Sequence, residues 1–196
     1  MRKILSGTIV VISTLFLQYC TSSTIHPKEA NSTSESIEQY TCLPCGSSCD
    51  TILATSPGGT CKHCMMEMVK KSSIVHGNVM PQDLYAHILK AGSNNVLLLD
   101  VRTVAEFNGT APDKFGRLKN AVNIPVQELE TRIKELETYK DKEIVVYCSH
   151  SHRSPQASYL LTKNGFKKVT NLQHGMHMWK DAVKDKQSNN SLYIAQ

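Results

Sequence analysis

The most constraining feature of the sequence is a cysteine between a strand-like run and a helix-like run. The apolar residues 144–147 are β-branched or aromatic, which predicts a buried strand. Cys148 follows at once, and a short polar loop then leads into a predicted helix at 154–163. In such a strand–loop–helix unit the sulfur lies at the helix N-terminus, where unpaired amides and the helix dipole favour a thiolate. The sequence therefore predicts a reactive cysteine that acts on an anionic substrate.

The residues around this unit alternate between strand-like and helix-like runs. Short apolar runs predict strands at 96–99, 144–147 and 168–171, and helical spacing predicts helices that begin near Pro81, Val126, Ser154 and His174. Pro81 suits a first helical position, and Gly92 suits a helix end. Alternation of this kind predicts an α/β domain over residues 79–184, with a central parallel sheet flanked by helices. The polar residues 185–196 are predicted to form a C-terminal tail.

Length and charge limit the remaining possibilities. The chain has 196 residues, which is enough for one domain of ordinary size and a small additional module. Its net charge of +5 is mild and includes no dense block of Lys and Arg. We therefore expect no nucleic-acid partner.

The N-terminus carries a targeting signal. Arg2-Lys3 precedes a mostly apolar stretch, 4–17, which is short for a membrane-spanning helix of about 20 residues. Residues 1–20 resemble a bacterial lipoprotein signal peptide in which Cys20 is the lipidated residue. Tyr19 departs from that pattern, where a small residue usually precedes the cysteine. A cleaved signal without lipid and an uncleaved anchor are the alternatives.

A polar segment follows the signal. Residues 21–39 are rich in Ser, Thr, Glu and Asn, so they cannot bury enough apolar surface to offset the entropy of ordering. We predict a disordered tether here. The expected location is exported, as a lipoprotein held at the membrane through Cys20 or as a periplasmic protein.

Five of the seven cysteines lie between residues 42 and 64. Two C-x2-C pairs, Cys42 with Cys45 and Cys61 with Cys64, have the spacing of a zinc ribbon, which predicts a Zn²⁺ site in a small module at 40–71. The segment also resembles the heavy-metal-binding domains of bacterial efflux proteins, and thiolates with nearby methionines suit Cu⁺ as an alternative. Two disulfides are a further alternative, because an exported compartment is oxidising. Cys49 is either a free thiol or a ligand that replaces one of the four.

Residues 79–183 resemble a rhodanese domain, a sulfurtransferase module, through motifs in the family's order. Leu99-Asp100-Val101-Arg102 with Glu106-Phe107 matches D-V-R-x-x-x-E-F; 116–125 matches G-H-I-x-G-A-x-N-I-P; Cys148 to Ser154 matches the active loop C-x4-R-[ST]; and 172–179 matches L-x-G-G followed by W. The departures are Arg117 for His, Asn120 for Gly and His174 for Gly. None of them touches the expected nucleophile.

The resemblance implies a mechanism and a set of site residues. Cys148 would take a sulfane sulfur from a small donor such as thiosulfate and pass it to a thiol or cyanide, with no cofactor needed for catalysis. Arg153 would brace the loop by pairing with Asp100, and Arg102 would meet the anionic donor at the mouth of the site; a plain Asp100–Arg102 stabilising pair is the alternative. The remaining loop residues, Ser149, His150, Ser151, His152 and Ser154, would surround the substrate with backbone amides.

Other functions remain open at this point. Related cysteine phosphatases and arsenate reductases use a longer loop, C-x5-R, around an oxyanion, whereas four residues separate Cys148 from Arg153. The shorter loop suits a single sulfur atom. A non-enzymatic alternative is an exported metal-handling or sulfur-carrier module, in which Cys148 delivers persulfide to the metal-binding ribbon.

Overall fold

The computed structural model describes residues 37–183 and 187–196. The segments predicted as a signal peptide and as most of the tether, 1–36, lie outside the described residues. The first described elements form a small antiparallel sheet in which β1 (Tyr40–Thr41) pairs with both β2 (Leu53–Ala54) and β3 (Val69–Lys70). The described residues contain no helix that is both long and apolar enough to cross a membrane.

The larger part of the structure is built around a parallel sheet. In chain order its elements are β4 (Gly77–Val79), α1 (Leu84–Ala91), β5 (Val96–Asp100), α2 (Val104–Phe107), β6 (Arg117–Leu118), β7 (Val122–Asn123), α3 (Val126–Arg132), β8 (Glu143–Tyr147), α4 (Arg153–Lys163), β9 (Lys168–Leu172) and α5 (Trp179–Val183). Five strands pair in the order β4-β9-β8-β5-β7, all parallel. The predicted α/β fold with a central parallel sheet is confirmed.

Both faces of the sheet are covered, and the strand residues alternate between two cores. Leu97 and Leu99 of β5 point into one core, together with residues of α3 and α4, whereas Leu98 points into the other, with residues of α1 and α5. Such alternation follows from the two-residue period of a strand. Because both faces are buried, the central strands are almost continuously apolar, which is why they were visible in the sequence.

The predicted helices form at the expected places, but three of them are divided into an α-helical and a 3₁₀ part. Pro81 begins a short 3₁₀ turn that runs into α1, and Gly92 ends α1 with a φ of +85°. The helix expected from Val126 is α3 followed by a 3₁₀ segment, Ile133–Tyr139. The last one begins as a 3₁₀ turn, Gly175–Met178, before α5.

The described C-terminal residues, 187–196, are not the loose polar tail expected from composition. They form α6 (Gln187–Asn190) and β10 (Tyr193–Ile194), which pairs with β6. The buried Asn189 side chain accepts a hydrogen bond from the Tyr85 amide and donates one to the Gln82 carbonyl. A polar sequence therefore packs here because its amide groups satisfy the backbone at the start of α1.

Candidate functional site

Cys148 lies at the carboxyl end of β8, one of the central strands. Its side chain is almost fully buried, and its Sγ lies 3.3 Å from Ser154 Oγ in the first turn of α4. The nucleophile candidate therefore sits where the sequence predicts it, between a buried strand and a helix N-terminus. The unpaired first-turn amides and the helix dipole at such a position suit the binding of an anion.

The loop between β8 and α4 is tightly folded. Ser151 adopts a left-handed conformation with a φ of +59°, and His152 returns to the right-handed region. Successive residues of opposite hand turn their N–H groups to the same side, which makes an anion-binding concavity. Asn171 of the neighbouring strand β9 donates a hydrogen bond of 3.2 Å to Ser151 Oγ and so fixes the loop from below.

A second loop, residues 173–177, holds the backbone of the active loop. The Met176 amide donates to the Cys148 carbonyl at 2.9 Å, and the His177 amide donates to the Ser149 carbonyl at 2.8 Å. Gly175 makes this approach feasible, because a Cβ there would lie 2.3 Å from the Cys148 carbonyl oxygen. The preceding His174 occupies the left-handed region at a φ of +64°, where the family motif has glycine.

Arg153 pairs with Glu106 and not with Asp100, which corrects the expectation from sequence. Its two terminal nitrogens each lie 2.7 Å from a Glu106 carboxylate oxygen, and Ser149 Oγ donates to the same carboxylate at 2.8 Å. A capping box with Thr103 at the start of α2 orients Glu106 toward the loop. The Arg153 guanidinium, helped by the Ser149 and Thr103 hydrogen bonds, holds the pKa of Glu106 well below its usual range.

Asp100 and Arg102 form their own buried pair, so the predicted role of Arg102 at the mouth is also wrong. Both side chains are fully buried, and Arg102 donates to the Asp100 carboxylate through its backbone N–H, Nε and Nη2. Arg102 Nη2 also donates to the Gly116 carbonyl at 2.9 Å. Asp100 is unavailable to Arg153 because a residue two positions away already saturates its oxygens. The structure therefore agrees with the alternative, a stabilising Asp100–Arg102 pair.

The two histidines of the loop are exposed, in contrast to its buried serines, Ser149, Ser151 and Ser154. The His150 ring contacts the His177 ring at an interplanar angle of 33° with centroids 4.6 Å apart, and Phe115 meets both rings edge-on. Partial burial, with the neighbouring His177 and His152, lowers the pKa of His150. His150 is therefore neutral at neutral pH and offers polarity there, not charge.

The cysteines before the domain converge, but not as the two C-x2-C pairs predict. The Sγ atoms of Cys42, Cys49, Cys61 and Cys64 all lie within 4.8 Å of one another, so Cys49 stands in the predicted place of Cys45. The 3₁₀ turn Ser48–Thr51 brings Cys49 inward, which spacing alone does not reveal. All six cysteines of the described residues are free thiols.

These thiols perturb one another strongly. Burial, followed by hydrogen bonds from Cys61 and Cys64, raises the pKa of Cys42 well above its usual value, and burial with a hydrogen bond to Cys45 raises the pKa of Cys49 to about 12. The hydrogen bond from Cys42, with backbone amides, lowers the pKa of Cys61 to about 6. Several thiolates so close together repel one another unless a cation lies among them.

The Cys-rich module contacts the elements that carry the active loop. Tyr159, on α4, packs against the cysteine cluster, and its hydroxyl lies 3.1 Å from Ser73 Oγ. Gly46 approaches the 173–177 loop so closely that a Cβ there would lie 2.6 Å from a ring carbon of His174. The module and the active loop therefore both pack against α4 and the 173–177 loop.

Comparison with known proteins agrees with the fold. The model of the rhodanese-like domain family matches residues 80–182, so the chain belongs to that family. The uncharacterised protein YqhL of Bacillus subtilis (strain 168) is 34% identical over 115 residues, which cover 59% of this chain and 85% of that protein. A sulfurtransferase of Allochromatium vinosum is 36% identical over 90 residues, covering 45% and 76%. The putative sulfur carrier protein YrkF of Bacillus subtilis (strain 168) is 31% identical over 123 residues, covering 62% of each chain.

Sequence reasoning missed two supporting residues of this site. Glu106 stood inside a recognised motif without a role, although its position three residues after Thr103 is a capping-box signal. Gly175 also stood in a motif, but only the structure shows that its backbone rests on the Cys148 carbonyl. Both act by holding the loop in shape.

Proposed function

We propose that the protein is a sulfurtransferase that loads Cys148 with a sulfane sulfur from a small anionic donor such as thiosulfate. The observation that carries the proposal is the placement of Cys148 Sγ at the N-terminus of α4, 3.3 Å from Ser154 Oγ, in a loop folded as an anion-binding concavity. Family membership and a sulfurtransferase among the relatives support it.

The chemistry consists of two displacements at sulfur. The Cys148 thiolate attacks the outer sulfur of thiosulfate, the S–S bond of the donor breaks, and sulfite leaves with the bonding electron pair. Cys148 then carries a persulfide, whose terminal charge lies against the loop amides. A thiol or cyanide attacks the outer sulfur, and the Cys148 thiolate is the leaving group. No external oxidant or reductant is needed.

The other residues of the site position the nucleophile in this proposal. Arg153 and Ser149 converge on Glu106, so the guanidinium is neutralised and serves to close the loop. Asp100 and Arg102 lie beneath the strand ends and stabilise the end of β5. His150 and His152 are exposed at the loop surface, where they are available to line the approach of the donor.

Loop size and burial favour this reaction over phosphoester hydrolysis. Four residues separate Cys148 from Arg153, one fewer than in the related phosphatases, so the enclosed space is smaller. Cys148 itself is 1% exposed, which suits a compact donor that reaches the sulfur end-on. Arg153, which would hold a phosphate in a phosphatase, is already engaged by a carboxylate.

The experiment is to incubate the purified protein with thiosulfate and to measure the mass of the Cys148 peptide without reduction. We expect one additional sulfur atom on that peptide, with sulfite released in equal amount, and thiocyanate formed when cyanide is added. The Cys148→Ser variant is the matched control. Full activity in Cys148→Ser, or hydrolysis of an aryl phosphate in place of sulfur loading, would contradict the proposal.

A sulfur carrier is the second candidate, and the relative YrkF is the observation that favours it. A carrier loads once and releases sulfur to a specific partner, whereas an enzyme turns over with small acceptors. Many thiocyanate molecules formed per protein chain favour the enzyme. A single equivalent that cyanide does not remove favours the carrier.

We further propose that the protein is exported and held at a membrane through a lipid on Cys20, with residues 21–39 as a spacer. The charged and apolar composition of residues 1–20 supports this proposal. Fractionation of cells that express the full chain, with a Cys20→Ala control, tests it. A wild-type protein found wholly in the soluble fraction would exclude the lipid anchor.

A further inference from the structure

We propose that Cys42, Cys49, Cys61 and Cys64 form a closed four-thiolate site for one Zn²⁺ ion, and that Cys45 lies outside it. The proposal concerns a site separate from Cys148 and does not depend on the sulfurtransferase activity. It differs from the ligand set that the C-x2-C spacing suggests in one residue, Cys49 in place of Cys45.

The distances between the sulfurs fit a tetrahedron around zinc. The four Sγ atoms lie within 4.8 Å of one another, and Cys42 Sγ is 3.7 Å from Cys64 Sγ. A tetrahedral site with Zn–S bonds of about 2.3 Å has sulfur–sulfur edges of about 3.8 Å. Cys42 and Cys64 are therefore already at the separation that a zinc ion imposes, and no pair of the four exceeds that separation by more than about 1 Å. None of the four is in a disulfide.

The backbone holds the second pair of ligands in a tight turn. The Met65 amide donates to the Cys61 carbonyl, and the Cys61 amide donates to the Met66 carbonyl, both at 2.8 Å. Met65 has a φ of +56°, a left-handed conformation that is costly for a side chain of this kind. Such a turn aims Cys61 and Cys64 at the same point, and a ligand bound between them would offset its cost.

The first pair of ligands comes from two different elements. Cys42 directly follows β1, and Cys49 lies in the 3₁₀ turn Ser48–Thr51. Cys42, Cys49 and Cys61 are each no more than 2% exposed, and Cys64 is partly exposed. A buried set of four protein ligands leaves no position for substrate, which is the arrangement of a structural zinc site.

Cys45 is not part of the proposed ligand set, and its neighbour Asp50 accounts for its position. Its Sγ is positioned to donate to Asp50 Oδ1 at 3.4 Å, and the same carboxylate accepts the Cys45 and Gly46 amides at 3.0 and 2.8 Å. Cys45 Sγ contacts Cys49 Sγ at 3.6 Å, but it lies outside the set of four sulfurs that are all within 4.8 Å of one another. Cys45, Cys49 and Asp50 form a second possible ligand group, but it has three members and would leave Cys42, Cys61 and Cys64 without an ion.

The test compares single substitutions at Cys45 and Cys49 in the full chain. Protein purified without added metal is analysed for zinc and copper, and the thiols are counted after denaturation. We expect about one zinc per chain in wild type and in Cys45→Ser, whereas Cys49→Ser loses more than about a hundredfold in zinc affinity. The reverse pattern would overturn the ligand assignment. Copper in place of zinc, or no metal with paired cysteines, would overturn the site.

A second pair of variants covers the case in which Cys49→Ser does not fold. Histidine is also a zinc ligand, so Cys49→His retains the ion with three thiolates, and Cys45→His retains it with four. Substitution with Co²⁺ reports the difference, because the thiolate-to-metal charge-transfer absorbance grows with the number of coordinated sulfurs. We expect a reduced band in Cys49→His and an unchanged band in Cys45→His. A reduced band in Cys45→His alone would contradict the proposal.

Discussion

The two cysteine-bearing regions that the structure describes hold their sulfur atoms in opposite ways. The active loop, residues 148–154, has one sulfur, and its neighbours fix the loop through backbone and side-chain hydrogen bonds. The Cys-rich module, residues 40–71, has five cysteines whose sulfurs contact one another and fill most of its interior. In the active loop, hydrogen bonds from neighbouring residues hold the single cysteine in position. In the Cys-rich module, contacts among the cysteines form most of the core that holds the module together.

This difference follows from the size of the two regions. The α/β domain buries apolar side chains on both faces of a five-stranded sheet, so it can hold a strained loop in place without help from Cys148. The module buries few apolar residues other than cysteine, namely Leu43, Met66 and Val69 in the cysteine cluster and Tyr40 on β1. A segment of this size cannot fold on apolar burial alone. Cys148 is therefore not needed to stabilise its domain and is available for reaction, whereas the cysteines of the module are needed for its stability.

The largest effect is expected where the backbone of the active loop is held. Gly175→Ala should lower the free energy of unfolding by about 3 kcal/mol or more, because the added Cβ would strike the Cys148 carbonyl and the left-handed φ of +61° adds strain. Sulfur loading of Cys148 should fall with it. Urea unfolding measures the first effect, and peptide mass measures the second.

Gly165→Ala is the matched control. Gly165 also has a left-handed φ, of +85°, but nothing lies within 4 Å of the added Cβ. It should lose only about 1–2 kcal/mol and keep full sulfur loading. Equal losses in the two variants would mean that the contact with Cys148 contributes nothing, and the active loop would then not be braced from this side.

The next effect concerns the Arg153–Glu106 pair. Glu106→Gln should cost about 2 kcal/mol of stability, because a partly buried guanidinium loses its charged partner. Arg153→Ala should abolish sulfur loading by disordering the loop, and Arg153→Lys should restore little, since lysine lacks the planar fork. Wild-type activity in Arg153→Lys would show a simple charge role. Glu135→Gln, which opens an exposed pair with Arg132, should be nearly neutral.

The same pair predicts a pH dependence of stability. The folded-state pKa of Glu106 lies below its unfolded value near 4.5, so its contribution is present above that value and is lost as the pH falls through the folded pKa. The difference in unfolding free energy between wild type and Glu106→Gln should be constant from pH 7 to about pH 5.5 and shrink below about pH 4.5. A difference that grows on acidification would contradict the assignment of the pair.

A smaller effect is expected in the module. Asp50→Asn weakens three hydrogen bonds around Cys45 and Gly46, which should cost about 1 kcal/mol. If the sulfurs and their ion hold the module, its zinc content should remain about one per chain. Elemental analysis with thermal unfolding measures both. Loss of zinc in Asp50→Asn would mean that hydrogen bonds, and not sulfurs, determine the shape of the module.

The smallest effect tests the contact between the two regions. Tyr159→Phe removes the hydroxyl that lies 3.1 Å from Ser73 Oγ but keeps the ring on the cysteine cluster, and should cost about 0.5–1 kcal/mol. Limited proteolysis should cut the variant modestly faster near residues 70–76. Tyr139→Phe is a control on a tyrosine for which the described structure gives no side-chain hydrogen bond, and it should behave as wild type. Identical cutting rates for wild type, Tyr159→Phe and Tyr139→Phe would show that the Tyr159 hydroxyl does not stabilise the contact between the two regions.

The fold and the nucleophile were predictable because their signals are local. The buried strands at 96–99 and 144–147 are continuous apolar runs, and Cys148 directly follows one of them. The partner of Arg153 and the four cysteines of the proposed zinc site were not predictable, because each depends on competition among similar groups. Asp100 is taken by Arg102, and Cys45 is taken by Asp50. Spacing along the chain identifies the candidate carboxylates and thiols, but it does not show which of them already has another hydrogen-bond partner.

The C-terminal residues illustrate a different limit. Polar composition predicted a tail, yet Asn189 is buried because its amide group satisfies the backbone before and within α1, about a hundred residues earlier in the chain. Nothing near Asn189 in the sequence indicates that partner. Long-range hydrogen bonding by a single side chain has no periodicity, so it remains invisible until the chain is folded.

The close approach of Gly46 to His174 has a practical consequence for anyone who divides this protein. A fragment that begins at residue 77 keeps every strand of the parallel sheet, but it uncovers the ring of Tyr159 and removes the neighbour of the His174 loop. Such a fragment would present a new apolar patch beside its own active loop, and we expect it to be less soluble than the longer chain. Expression boundaries for this family member therefore belong before residue 40, even when only the sulfur chemistry is of interest.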